Sequence, residues 1–261
     1  MKLFLQRCFY YFLIFYSTCF CAQNSNHTTD TPVVEKILLH SYVLNEDREI
    51  FVYHPDDTIN TYPVLYILDG ERKDYFNQCW GQLKLNQHII VGINNSINRN
   101  QDLIPCKNNT RPGSGKSDKF LSFINEELIP FIDQRFSSNK NRTLFGASNG
   151  GLFTLYVLLN RKEMFSSYIS ISPTIGHCNT FMEQNLKNLE ISNSSQPNKI
   201  YINYGTKDPM YQVTDYIQNF CSLLQNKFGD NLKIKFDKII DGKHIPEGSI
   251  QKGLTFIHKS H

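Results

Sequence analysis

The sequence has little of what marks the non-globular classes. Of 261 residues only 14 are glycine and 10 are proline, which excludes a collagen-like or low-complexity chain. A chain that is 40% hydrophobic and only 20% charged is too apolar for a disordered tail. Neither charge sign dominates: 27 Lys plus Arg stand against 24 Asp plus Glu, a formal charge of +3. That leaves no basic footprint of the size phosphate-backbone binding needs, so nucleic acid is not an expected partner. No two cysteines have CxxC spacing, which argues against a zinc or thioredoxin-type site. There is no internal repeat, Pro-rich linker or long charge run to mark a second domain. Beyond the N-terminus no apolar run is long enough to span a bilayer.

The N-terminus is different in kind. Met1-Lys2-Leu3 with Arg7 close behind, an apolar stretch from Cys8 to Phe20 and then Cys21-Ala22-Gln23 have the three regions of a secretory signal peptide. The expectation is a cleaved segment 1–22, a polar leader 23–32 and a single domain over 33–261, exported to the periplasm or secreted. The alternative is an uncleaved anchor, but Ser17 and Thr18 interrupt a run already short for a bilayer. Cleavage leaves Cys79, Cys106, Cys178 and Cys221, which allow two disulfides in three pairings. Cys79 with Cys106 is the first choice among these, with four free thiols as the alternative.

From Val33 onward β-rich runs come first. Val34 to His40 and Glu49 to His54 flank Asn45-Glu46-Asp47 and suggest an antiparallel hairpin or meander. Short apolar runs then alternate with helical patterns. Pro63–Leu68, His88–Ile93, Arg142–Phe145, Tyr168–Ser172, Lys199–Asn203 and Lys233–Ile240 read as strands. Ser117 to Phe136 and Met210 to Phe228 carry apolar residues at helical spacing, with Pro130 as a kink in the first. Strands alternating with helices imply an α/β fold with a mostly parallel sheet covered on both faces. Ligands in such sheets sit beyond the carboxyl ends of the strands.

One motif stands in the context that gives it chemistry. Gly146-Ala147-Ser148-Asn149-Gly150-Gly151 follows a strand and opens an apolar helix, which is where a G-x-S-x-G turn exposes a serine hydroxyl at a helix N-terminus. A plain Gly-rich turn is the alternative. A serine needs a base and an orienting acid, which in this architecture follow it in the order acid, then histidine. Asp208 falls just past the strand ending near Asn203, and His244 just past the strand ending near Ile240. The other histidines lie before the serine, too close behind it (His177) or at the C-terminus (His258, His261). Asp208 has a competing reading as a helix N-cap before Met210.

These residues, together with Tyr62–Gly70, Val91-Gly-Ile93 with Arg99 and Asp102 behind it, Phe123–Pro130, Phe165–Pro173 and Gly242-Lys-His244, resemble the esterase D-like putative esterase family. This is the α/β-hydrolase branch of enterochelin-esterase-like siderophore hydrolases, S-formylglutathione hydrolases, feruloyl esterases and mycolyltransferases. The resemblance spans roughly Val34 to Lys259. It implies an α/β-hydrolase fold with about eight mostly parallel strands, no metal or organic cofactor, and a small-molecule ester as the partner. It also implies a Ser148–His244–Asp208 triad and an oxyanion hole from the backbone N–H groups of Asn149 and Glu71. The implied function is an exported serine esterase acting through an acyl-enzyme on a siderophore-type or other acyl ester. An acyltransferase of the same fold and a silent binding protein on the same scaffold are the alternatives.

Three features concern the pocket. The single tryptophan, Trp80, is expected in the loop after Leu-Asp-Gly, where it would line the pocket or pack beside Cys79. Arg99, with Lys107, Arg111 and Lys116, lies in a polar stretch that would recognise an anionic substrate such as a ferric catecholate, or be a solvated loop. Residues 173–197 form the largest insertion between late strands and read as a partial lid. The tryptophan often found shortly after the family's histidine is missing here.

Overall fold

A computed structural model of the chain describes residues 34–55, 60–83, 88–191, 197–209 and 212–259. The expected signal peptide and leader lie outside the described residues.

Eight strands form one sheet in the order β1-β2-β4-β3-β5-β6-β7-β8. β1 (Glu35–Ser41) and β2 (Glu46–Tyr53) make the expected antiparallel hairpin, and β2 continues antiparallel onto β4 (Ile89–Ile93). From there β3 (Tyr62–Leu68), β5 (Ser138–Ala147), β6 (Ser167–Ile171), β7 (Asn198–Gly205) and β8 (Leu232–Ile239) run parallel. This is the mostly parallel sheet anticipated from the alternation of runs and the α/β-hydrolase fold implied by the resemblance.

The side-chain alternation of the strands divides the apolar core into two layers. Val64, Tyr66 and Leu68 of β3 face one layer, while Leu65 and Ile67 face the other. On the second face α1 (Lys73–Leu83) packs beside α8 (Ser249–His258). On the first face lie α2 (Arg99–Leu103), α3 (Ser117–Phe123), α4 (Ile129–Arg135), α5 (Asn149–Asn160), α6 (Asn179–Asn188) and α7 (Gln212–Phe228). α5 is buried from Asn149 through Leu159. Its lack of a polar face follows from being wrapped on all sides, which a solvent-facing helix could not tolerate.

The helix expected over Ser117–Phe136 does form, interrupted by a π-helical turn at Ile124–Leu128. Pro130 follows at the start of α4, inside a helical run whose junction residues Phe123, Leu128 and Ile129 all keep helical backbone angles, so its missing N–H takes one bond from the ladder, next to the widened turn. The irregularity precedes the proline.

The disulfide differs from the first-choice pairing. Cys106 is bonded to Cys178, and Cys79 and Cys221 are buried free thiols. Cys79 sits in α1, in the layer beneath the sheet, whereas Cys106 packs against the layer above it. The sheet separates the two, so no backbone adjustment could join them. Among the described residues no helix is long and apolar enough to cross a membrane.

Candidate active site

Backbone strain collects where the parallel strands end. Six described non-glycine residues have positive φ, and four of them, Asp69, Ser148, Ser172 and Asp241, follow the carboxyl ends of β3, β5, β6 and β8. Such positions cost free energy and persist where the surrounding structure enforces them, which is common at functional sites.

Ser148 is the clearest case. One residue separates β5 from α5, so the chain must reverse at Ser148, with φ 58° and ψ −120°. The turn closes only because residue 146 is glycine: a Cβ there would lie 2.2 Å from the Gly150 carbonyl oxygen. The Ser148 N–H donates to the Ile171 carbonyl at 2.9 Å, and its own carbonyl accepts from Leu152 at 3.0 Å and Thr174 at 3.3 Å. With both backbone groups committed, the side chain is held at the N-terminus of a buried helix. There the helix dipole favours negative charge. Asn149 is the first residue of that helix, and its side-chain oxygen accepts from Thr174 Oγ1 at 2.7 Å. Among the described residues the backbone N–H of Asn149 has no hydrogen-bond acceptor, and neither does that of Glu71. Glu71 lies in a turn closed by the Arg72 N–H donating to the Asp69 carbonyl at 3.0 Å.

Asp208 and His244 come from the loops after β7 and β8. These neighbouring loops are in backbone contact: a Cβ on Gly205 would fall 2.2 Å from the carbonyl oxygens of both Gly242 and Lys243. Thr206 N–H donates to Ile239 at 3.0 Å, and Lys207 N–H to Gly242 at 2.8 Å. Asp241 N–H donates to Thr206 Oγ1 at 2.8 Å. So fastened, the loops bring His244 Nδ1 to 2.6 Å from Asp208 Oδ2, with the carboxylate buried and the imidazole partly open. A proton on Nδ1 serves that bond, which leaves Nε2 as the basic nitrogen. The Asp208 side chain is thus directed to the histidine, whatever it contributes to the start of α7.

Of the remaining sequence-selected residues, Trp80 lies away from this edge and Arg99 beside it. Trp80 is on α1 rather than in a loop, buried in the lower core beside Cys79 and edge-on to Tyr53, with ring centroids 6.2 Å apart. Arg99 is engaged from within: its Nε and Nη2 donate to Asp69 Oδ1 and Oδ2 at 2.7 and 2.8 Å. That bidentate pair takes up the Nε–Nη2 edge of the guanidinium and leaves Nη1 outside it. Arg111 Nε donates to His177 Nε2 at 3.3 Å, and burial followed by the Arg111 charge lowers the His177 pKa, keeping the ring neutral. The described part of the insertion, residues 173–191, is anchored rather than loose. Cys178 is tied to Cys106, and α6 sinks Met182 and Leu186 into the core.

Sequence reasoning missed one buried polar cluster beside the Asp69–Glu71 turn, built on Arg48, Asn95 and Asp102. Asp102 was noticed only as part of a motif, and Asn95 is one asparagine in an asparagine-rich chain. Among the described residues no group of three or more His, Cys, Asp or Glu side chains could hold a metal ion.

A family model described as putative esterase matches residues 41–237. The ferri-bacillibactin esterase BesA of Bacillus subtilis is 45% identical over 173 residues, covering 55% of this chain and 59% of that protein. This match therefore spans less than two thirds of the relative's length. Among solved structures, the BES protein from Bacillus cereus superposes with a TM-score of 0.72 at 26% identity, covering 88% of this chain and 97% of that one. An IroE-like serine hydrolase from Shewanella oneidensis gives a TM-score of 0.75 at 23% identity, with coverages of 86% and 80%. At that identity the second likeness speaks to the fold alone.

Proposed function

The chain belongs to the putative esterase family and is a carboxylic-ester hydrolase, and from that premise we propose that it works as an exported serine esterase through an acyl-enzyme on Ser148. The observation that carries the mechanism is the 2.6 Å bond between His244 Nδ1 and Asp208 Oδ2, on the same sheet edge as the strained Ser148 turn. In this reading His244 Nε2 takes the proton of Ser148 Oγ as the oxygen attacks the ester carbonyl carbon. The negative charge that develops on the carbonyl oxygen is met by the backbone N–H groups of Asn149 and Glu71, both without acceptors among the described residues. Collapse of the intermediate breaks the bond to the alcohol oxygen, which leaves with the proton held by His244. A water then gives a proton to His244 as it attacks the acyl carbon, and the bond to Ser148 Oγ breaks as that oxygen takes the proton back from His244, releasing the acid and free Ser148. Asp208 holds the imidazole in the required tautomer throughout.

For the substrate, the likeness to a ferri-bacillibactin esterase favours an ester of a siderophore. Export is supported by the signal-like start of the sequence and by a Cys106–Cys178 bridge, which suits an oxidising compartment. The test is hydrolysis of p-nitrophenyl butyrate and of ferri-bacillibactin by the purified protein beside Ser148→Ala. The expected result is turnover of both esters by the wild type and of neither by the variant. A folded wild type that leaves both esters intact contradicts the proposal.

A further inference from the structure

The turn that carries the Glu71 N–H is gripped from behind by a single buried side chain. Asn95, fully buried just past the end of β4, accepts the Asp69 N–H on its Oδ1 at 3.0 Å. In return its own backbone N–H donates to Glu71 Oε2 at 3.1 Å. Both ends of the Asp69–Glu71 turn are therefore fixed to one residue by a reciprocal pair of bonds, and Asp69 is held at a φ of 55°.

Asn95 is itself held. Its Nδ2 donates to Asp102 Oδ2 at 2.8 Å, and the same oxygen accepts from Arg48 Nη1 at 2.6 Å. Arg48, almost fully buried, also donates through Nη1 to the Asn94 carbonyl at 2.9 Å and pairs with Glu46 through Nη2. The chain Arg48–Asp102–Asn95 thus runs from the antiparallel hairpin, through α2, to the turn. An arginine and a carboxylate buried this deeply cost several kcal/mol in desolvation unless paired, and ordinary stability is a weak reason to keep them. From the same helix as Asp102, Arg99 clamps the Asp69 carboxylate. The Glu71 N–H is left as the unclaimed donor of a turn otherwise bonded at both ends.

We infer that Asn95, backed by Asp102 and Arg48, is a positioning residue for the reaction: it fixes where the Glu71 N–H points, and so tunes stabilisation of the oxyanion without touching substrate. The inference rests on the esterase reading above and deepens it. An oxyanion donor acts in the transition state, so displacing it lowers kcat more than it raises KM.

The test compares wild type, Asn95→Ala and Asp102→Asn in steady-state hydrolysis of p-nitrophenyl butyrate. It also measures inhibition by phenylboronic acid, whose tetrahedral adduct on a serine places an oxygen in the oxyanion site. Loss of one oxyanion donor costs about 10²–10³-fold in kcat. Asn95→Ala is therefore expected to lose about 10- to 100-fold in kcat, with KM changed by less than about threefold and boronate affinity falling with kcat. Asp102→Asn keeps the shape and one oxygen for both donors, but it removes the charge opposite Arg48 and turns an NH2 toward Arg48 Nη2 where Oδ1 had been, and is expected to lose less in the same pattern. Should Asn95→Ala not fold, the Asp102→Asn pattern decides. Unchanged kcat, or a loss of kcat without loss of boronate affinity, overturns the inference while leaving the esterase reading intact. A folded wild type that neither hydrolyses ester nor binds boronate overturns both.

Discussion

A histidine becomes a useful base when a neighbour settles which nitrogen carries the proton. The Asp208 carboxylate does this for His244 at 2.6 Å. Asp208→Asn would keep the shape but present an amide that also stabilises the wrong tautomer. It is expected to lower kcat by about 10³–10⁴-fold in an ester-hydrolysis assay, the scale known for triad carboxylates. Two other histidines, His258 and His177, act on stability. Burial, then the nearby Lys199 charge, lowers the pKa of His258 below the ordinary 6.5, and its ring packs on His88 with centroids 4.7 Å apart. A group whose pKa is depressed by folding contributes fully above its unfolded value, and that contribution is lost as pH falls toward its folded value. The thermal midpoint should therefore fall between about pH 7 and about pH 5. His258→Gln should flatten part of that slope, and His177, shifted in the same direction, should account for some of the remainder. A midpoint independent of pH across this range would contradict the assignment.

Between residues and the whole lie the loops, and here one glycine, Gly205, is decisive. The β7 and β8 loops approach so closely that Gly205→Ala would place a methyl 2.2 Å from two carbonyl oxygens. Relief requires the loops to part, and with them Asp208 and His244. The variant is expected to lose about 1–3 kcal/mol of stability, as overpacked sites do. Its kcat should fall far more than that loss explains, which denaturation midpoints and steady-state rates will separate. The same contact explains what could be read from the sequence. The placement of Ser148, Asp208 and His244 was legible because each follows an apolar run directly or within a short loop, and a parallel sheet delivers such positions to one edge. Trp80 was misplaced because α1 begins within a few residues of the Leu-Asp-Gly turn, and its mixed polarity hid the helix. The pairing of Arg99 was hidden because its partner, Asp69, lies 30 positions earlier. Asn95 could not be found at all, since burial and pairing, not residue type, give it its role.

At the scale of the molecule the sheet acts as a partition. It explains why four cysteines could not be paired by spacing. Cys79 lies beneath the sheet and Cys106 packs against the layer above it, so the partner of Cys106 had to come from the same side. The bridge closes a sequence separation of 72 residues, and chain-entropy arguments put the stabilisation from such a loop at about 4 kcal/mol, with about 2–4 commonly realised. Cys106→Ser with Cys178→Ser should lower the unfolding free energy by about that much in a urea titration. A reducing agent should then destabilise the wild type but not the double variant. The bridge also joins the segment after α2 to the segment that begins beside Ser148, so the double variant is a further check on how firmly that edge is held.

The central claim is that Ser148 is the nucleophile activated by the His244–Asp208 pair. Its most direct test is mass spectrometry of the protein after exposure to a fluorophosphonate. The account predicts one adduct, on the peptide containing Ser148. That adduct should be absent in Ser148→Ala and should form at least about 10³-fold more slowly in His244→Ala, as expected for residues that act as a unit. A folded wild type that takes no label, or takes it on another residue, would contradict it.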